Sequence, residues 1–422
     1  MQQLTAGIFM ERKIDLSGCK FGHTALVMVV IFHAVISHEV VEGRRSWKTD
    51  TDQASYLHQA DKFGVKTMKT ADGDIIDCVD IYKQPAFDHP DLKNHTIQMK
   101  PHIFPSGLEP EKVSSSSQHQ RKLLQRIRKC PEGTIPLLRT RTSETVARKG
   151  RRMANVNAEN GTGSANMPYS GHEYAVASVI NGEFYGAKAD INLWNPYVEG
   201  PEEFSLAQIW VMSGAYETKD INTVEAGWMV NPALYGDRKT RLFIYWTNST
   251  YQGPGCYNHR CSGFVQTSTE IALGAAITNP STYGGEQYEI TIVIFKDKSS
   301  GNWWLMIQDI QVGYWPEILF KGLAHSASRI DWGGEIVNDG SVGHHTGTQM
   351  GSGHFPSEGF RKASYFRNLF IVDSFNNYMA PPAIGKTAGT SKCFDIEIKV
   401  DTASDWGNYF FYGGPGKSPN CP

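Results

Sequence analysis

Charge of one sign is what this sequence has least to spare: 41 Lys and Arg stand against 43 Asp and Glu, a formal net charge of −2 over 422 residues. That balance removes the electrostatic reason to expect nucleic acid or an anionic membrane surface as a partner. Helical periodicity is nearly absent beyond the N-terminal region, which argues against a helix bundle. No Cys-x-x-Cys pair occurs, so the spacing of a structural zinc site is missing and no metal is expected. Long apolar runs are also scarce. The one clear case, Ala25 to Ile36, is too short to cross a bilayer comfortably, and no other stretch would serve as a membrane helix.

What is present is glycine (41) with many aromatics (20 Phe, 18 Tyr, 10 Trp), the vocabulary of antiparallel sheets and tight turns. With 40% hydrophobic residues the chain can fill a large core. The Ala25 to Ile36 run, preceded by Arg12, Lys13 and Lys20, has the length of a secretory signal, and residues 1–38 are read as that region; a buried strand is the competing reading, and translation from Met28 an alternative start. Seven cysteines suit export. Cys19 falls in the segment to be removed, leaving Cys78, Cys130, Cys256, Cys261, Cys393 and Cys421. Sequence alone leaves their pairing open, but local order favours Cys256 with Cys261, Cys393 with Cys421, and Cys78 with Cys130. Asn94, Asn160 and Asn248 open sequons that would be available for glycans in that compartment.

Residues 39–152 read as a small mixed unit followed by a basic linker. Asp72-Gly73 between alternating runs marks a hairpin turn, with a helix-compatible start near Asp50 to Gly64. From Arg121 to Arg152 basic residues face only Glu132 and Glu144. Such a block could bind nucleic acid, but in an exported chain it is more often an exposed connector, and Arg148-Lys-Gly-Arg-Arg152 invites proteolysis. From residue 165 to 422, strand signals recur at Tyr174 to Ile180, Phe204 to Met212, Arg241 to Thr247, Tyr288 to Phe295, Trp303 to Gln308, Phe366 to Val372 and Phe394 to Val400. Closely spaced strands with turns between them predict an all-β domain, an antiparallel β-sandwich or barrel, behind the small mixed N-terminal unit.

Two glutamates stand out. Glu225 lies in Thr223-Val-Glu-Ala-Gly-Trp228, and Glu335 in Asp331-Trp-Gly-Gly-Glu335, each a carboxylate among Trp and Gly; the two are 335 − 225 = 110 positions apart, so only a fold could join them. A carboxyl in such company resists ionisation. Two carboxyls held close would share a proton, one ready to take a proton from water and the other to give one to a leaving group. The backbone amides of Gly333 and Gly334 are candidate oxyanion donors, and Trp228 and Trp332, residue types more often found in a core, are kept as candidate cleft residues for their flat faces. His344, His345 and His354 read as a Gly-rich loop, because adjacent histidines on a strand point to opposite faces.

Glu225-Ala-Gly-Trp, Leu234-Tyr-Gly-Asp, Gly255-Cys-Tyr-Asn, Cys261-Ser-Gly-Phe-Val-Gln, Gly313-Tyr-Trp-Pro, Trp332-Gly-Gly-Glu and Gln349-Met-Gly-Ser-Gly-His-Phe-Pro together resemble the plant neprosin family of secreted glutamic prolyl endopeptidases. Asp72 to Tyr82, Asn94 to Met99 and Cys130 to Pro136 are similar to that family's activation peptide. The resemblance implies a β-sandwich with catalytic residues Glu225 and Glu335, an inactive precursor inhibited by its own propeptide, acid activity, no cofactor, and cleavage of proline-containing peptides after proline. A catalytically silent wall or carbohydrate-binding protein is the rival from another class, and a retaining glycosidase, which also needs two carboxyls, is a third.

Overall fold

The computed structural model describes residues 64–108, 129–139, 171–215, 218–251, 256–340, 344–401 and 405–422. The proposed signal region, the helix-compatible start near Asp50, most of the basic linker and Asn160 lie outside them. Three antiparallel sheets account for the strands. A small sheet at the N-terminal side is built in the order β1 (Gly64–Lys69), β2 (Ile75–Asp80), β3 (Thr134–Leu138). Its first turn is the hairpin expected from Asp72-Gly73: Gly73 has φ +88° and the Thr70 amide donates to Asp74 O at 2.9 Å.

Two larger sheets form the sandwich. Their strands are β4 (His172–Phe184), β5 (Gly186–Asn192), β6 (Ser205–Ser213), β7 (Asn222–Val230), β8 (Arg241–Thr247), β9 (Cys256–Tyr257), β10 (Val265–Gln266), β11 (Glu289–Lys296), β12 (Trp303–Ile307), β13 (Ile310–Trp315), β14 (Ala327–Val337), β15 (Ser364–Val372), β16 (Tyr378–Met379), β17 (Gly385–Ala388), β18 (Asp395–Asp401) and β19 (Gly407–Gly413). One sheet has seven strands in the order β17-β4-β14-β6-β7-β8-β9. The other has nine, in the order β10-β13-β12-β11-β5-β15-β19-β18, with β16 on β15. This is the antiparallel sandwich the strand signals predict.

Side chains alternate across a strand, so each sheet has one face toward its partner and one away. The shared interior is filled by Ile209, Val224, Ala226, Trp228, Ile244 and Trp332 from the seven-stranded sheet against Ala189, Ile191, Ile292, Ile294, Trp303, Leu305 and Phe366 from the nine-stranded one. Strand runs such as Leu-Phe-Ile-Tyr-Trp in β8 are buried on both faces, because the outer faces carry apolar layers of their own. All three cysteine pairs expected from local order are joined: Cys78–Cys130, Cys256–Cys261 and Cys393–Cys421. Asn94 and Asn248 are exposed, although the Asn248 amide donates to Leu319 O at 3.0 Å. Among the described residues no helix is long and apolar enough to cross a membrane.

Candidate active site

The outward face of the seven-stranded sheet is where the two glutamates meet. Register fixes their relation. Glu225 on β7 pairs with Trp210 on β6, which pairs in turn with Asp331 on β14; Glu335 pairs with Leu206, which pairs with Met229. Glu225, Gly227 and Met229 therefore share one face with Trp210, Gln208 and Leu206, and with Asp331, Gly333 and Glu335. Glu225 and Glu335 sit at opposite corners of this three-by-three patch, and Gln208, paired with both Gly227 and Gly333, is its centre. The corners are two strands and four residues apart, roughly 10 Å across and roughly 13 Å along at the backbone.

The floor on either side of Gln208 is bare for a steric reason. A Cβ added at Gly227 would lie 2.0 Å from Ala207 O, and one at Gly333 would lie 2.2 Å from Ala175 O. Neighbouring strands approach too closely for any side chain there, so the long side chains at the corners meet none from these two positions. Around the patch stands an apolar layer of Val176, Leu206, Trp210, Met229, Phe243 and Tyr245. Tyr245 stacks with Tyr251 at 5.9 Å and meets Tyr257 edge-on at 4.8 Å, an aromatic wall on the Glu225 side.

Each carboxyl has its own partners. Glu225, 4% exposed, accepts from Thr223 Oγ1 at 2.7 Å, Tyr251 OH at 2.9 Å and Gln208 Nε2 at 2.8 Å. Burial pushes its pKa up to about 7; those three bonds pull the other way without overcoming it, and the charge of Glu335 adds a little to the rise. Glu335, 7% exposed, meets His172 Nδ1 at 2.5 Å and accepts from Tyr174 OH at 3.2 Å, both residues presented by β4. Burial and both glutamate charges raise the Tyr257 hydroxyl, which places that ring in the field of both groups. No hydrogen bond joins the two carboxyls: Glu225 is held by Thr223, Tyr251 and Gln208, and Glu335 by His172 and Tyr174.

Two expectations are corrected. Trp228 and Trp332 are fully buried in the inter-sheet core, with Trp228 Nε1 donating to Asn192 O at 3.0 Å, so neither lines the cleft. Each is three residues from its glutamate, and an odd step along a strand reverses the face. Gly333 and Gly334 lie mid-strand in β14, which is paired on both sides by β4 and β6, so their amides belong to the ladder and are not oxyanion donors. A Cβ on Gly334 would point into the core, 2.6 Å from Tyr412 Cε2. Gln208, Thr223, Tyr251, His172 and Tyr174 were not singled out by sequence reasoning. A lone Gln in the apolar run Phe204 to Met212, and a Thr two residues before Glu225, were the available signals.

Elsewhere, His345, Cys393 and Cys421 form the one His, Cys, Asp or Glu grouping compact enough to hold a metal among the described residues, but the two sulfurs are joined to each other. His345 Nε2 lies 2.8 Å from Glu173 Oε1 instead.

A sandwich presenting two buried glutamates from one face has the parts of a glutamic-type peptidase. The chain belongs to the neprosin family: residues 201–415 match the neprosin domain and residues 67–178 the neprosin activation peptide. The activation-peptide match runs into β4 and so includes His172 and Tyr174. Among solved structures, the chain is similar to scytalido-glutamic peptidase with a peptide-based transition-state analogue (11% identity, TM-score 0.31, covering 58% of this chain and 98% of that one). It is also similar to SCP-B, a member of the Eqolisin family of peptidases in complex with the tripeptide Ala-Ile-His (10% identity, TM-score 0.30, 58% and 98% covered).

Proposed function

We propose that this protein is the precursor of a secreted endopeptidase that hydrolyses peptide bonds after proline, with Glu225 and Glu335 as its catalytic residues. The observation that carries the reading is the shared face: two carboxyls 110 positions apart in sequence (335 − 225) project from the same side of one sheet, across a floor kept bare by Gly227 and Gly333. The raised pKa makes Glu225 the proton donor at acid pH. Glu335, oriented by His172 and Tyr174, is then the base.

In the proposed sequence Glu335 takes a proton from a water molecule as the water oxygen bonds to the scissile carbonyl carbon. The acid proton of Glu225 hydrogen-bonds the carbonyl oxygen as negative charge develops there. When the tetrahedral adduct collapses, the C–N bond breaks and the nitrogen takes a proton from Glu225. Exchange with solvent then returns the proton from Glu335 to the water pool and reprotonates Glu225. The reading of proline specificity rests on family membership and on the wall of Tyr245, Tyr251 and Tyr257, whose flat faces suit a pyrrolidine ring. Three disulfides accord with export to an oxidising compartment.

Inhibition by the chain's own N-terminal part is the reading supported by the activation-peptide match over residues 67–178.

The test is to process the full chain, assay a proline-containing peptide, its alanine-substituted twin and a panel of β-glycans, and compare Glu225→Gln and Glu335→Gln. Cleavage after proline that both substitutions abolish is expected. Hydrolysis of glycans, or no activity in correctly processed protein, would overturn the reading.

A further inference from the structure

The activation-peptide residues that the structure describes do not lie over the glutamates. Pro85 to Leu108 run across the outward face of the other, nine-stranded sheet, where Ala86, Phe87, Ile97, Phe104 and Leu108 cover a layer made by Val265, Val293, Phe295, Trp304, Met306 and Tyr314. Phe104 meets Phe295 with ring centroids 5.5 Å apart. The β1–β3 sheet grips the sandwich edge beside β8.

The polar ties along this interface pair atom for atom, buried at Gln84 and Gln266 and part-buried at Tyr314, Asp297 and Asp74. Gln84 accepts from the Gln266 amide at 2.7 Å and donates to Gln266 O at 3.1 Å, as a strand residue would. The Tyr314 hydroxyl takes the Gln98 amide at 2.9 Å and meets His95 Nε2 at 2.7 Å. Asp297, with a fully buried side chain, accepts from Gln98 Nε2 at 2.7 Å and from the His102 amide at 2.9 Å. Asp74 bonds Arg241 with both oxygens, at 2.9 and 3.1 Å, and takes the Ala276 amide at 3.0 Å. Ser106 exchanges backbone bonds with Asn376 and Tyr378 at 2.8 and 3.0 Å. Separating the two parts would strand these groups and expose the apolar layer together.

We infer that residues 64–108 and 129–139 remain docked as a non-covalent subunit at neutral pH after the chain is cut between residues 139 and 171. The contacts named above are all made by residues 64–108 and 129–139 with the sandwich. The Cys78–Cys130 disulfide keeps the two stretches of the module together even if the chain between them is nicked, and it makes no covalent link to the sandwich. The inference is independent of which residues catalyse.

The experiment is limited trypsin cleavage of the purified full chain at neutral pH, directed at Arg148 to Arg152, followed by non-reducing size exclusion with intact-mass detection. Module and sandwich are expected to elute together at micromolar concentration and to separate in denaturant. A module that elutes alone at neutral pH overturns the inference. In the double variant Ile97→Ser with Phe104→Ser the retained fraction should fall sharply, and retention equal to wild type would show that this face does not hold the module. Should that variant not fold, Tyr314→Phe removes one hydroxyl that serves two partners and should speed release about five-fold; an unchanged release rate would count against the proposal.

Discussion

Gln208 donates from Nε2 to Glu225 Oε2 at 2.8 Å while its own side-chain oxygen, buried at the centre of the patch, has no partner among the described residues. The bond favours the ionised form of Glu225, so removing it should raise a pKa that burial has already lifted. In Gln208→Ala the alkaline limb of the pH-rate profile is expected to move to higher pH, with kcat reduced about ten-fold or more and KM little changed. A profile superimposable on wild type would show that Gln208 does not tune this carboxyl.

Burial of Glu225 should also appear in folding stability. An acid whose folded pKa lies above its unfolded value binds more protons when folded, so stability falls as pH rises from about 4.5 to about 7 and is level outside that window. The rise corresponds to about 3 kcal/mol. Denaturant titrations across this range should show the slope in wild type and lose most of it in Glu225→Gln. An equal slope in both proteins would place the ionisation elsewhere.

Acid should loosen the docked module. Burial lowers the pKa of His95, which faces Tyr314 and Phe87, and of His89, which faces Trp246 and is partly compensated by Asp91. For Asp297 burial alone would raise the pKa, but bonds from His102, Gln98, Ser299 and Ser300 outweigh it and hold it down. The charged groups facing the interface also include the Asp74–Arg241–Asp237 cluster, His102, and the Lys129–Glu270 pair. The undocked histidines bind protons more readily, so docking is complete above about pH 6.5 and weakens below it; Asp297 adds a second loss as pH falls through its lowered pKa. Size exclusion of the cut protein at stepped pH should show release rising with acidity, and it should occur at lower pH in His89→Gln with His95→Gln. Release independent of pH would contradict this.

The bare floor gives a steric prediction. Gly227→Ala forces a Cβ to 2.0 Å from Ala207 O, so β6 and β7 must part. A loss of about 2 to 3 kcal/mol is expected in denaturant unfolding, together with reduced activity. Near-wild-type stability would mean the strands can yield.

How much of this was legible in the sequence follows from what each signal encodes. The β8 run Arg241 to Thr247 is bounded in the structure as its alternation suggests, and the three disulfides follow local order. Strand β14, which carries Glu335, stayed hidden as a strand because Asp331-Trp-Gly-Gly breaks the alternating pattern, and the glycines that weaken the signal are those required by close neighbouring strands. The burial of Glu225 could be read from its neighbours, whereas Trp228 and Trp332, kept as cleft candidates for their flat faces, follow the commoner reading of tryptophan and lie in the core. Face parity gives that placement without any structure. His172 lies 163 positions from Glu335 and only sheet order brings it in, whereas Gln208, 17 positions from Glu225 on the preceding strand, needed the register of that hairpin.

Whether the two glutamates form one machine is tested most directly by the kcat of processed wild type, Glu225→Gln, Glu335→Gln and the double variant on one proline-containing peptide. Residues that act as a unit are not additive. Each single variant is expected to lose about a thousand-fold or more, with the double variant close to the worse single. Either single variant working at near-wild-type rate would contradict the account.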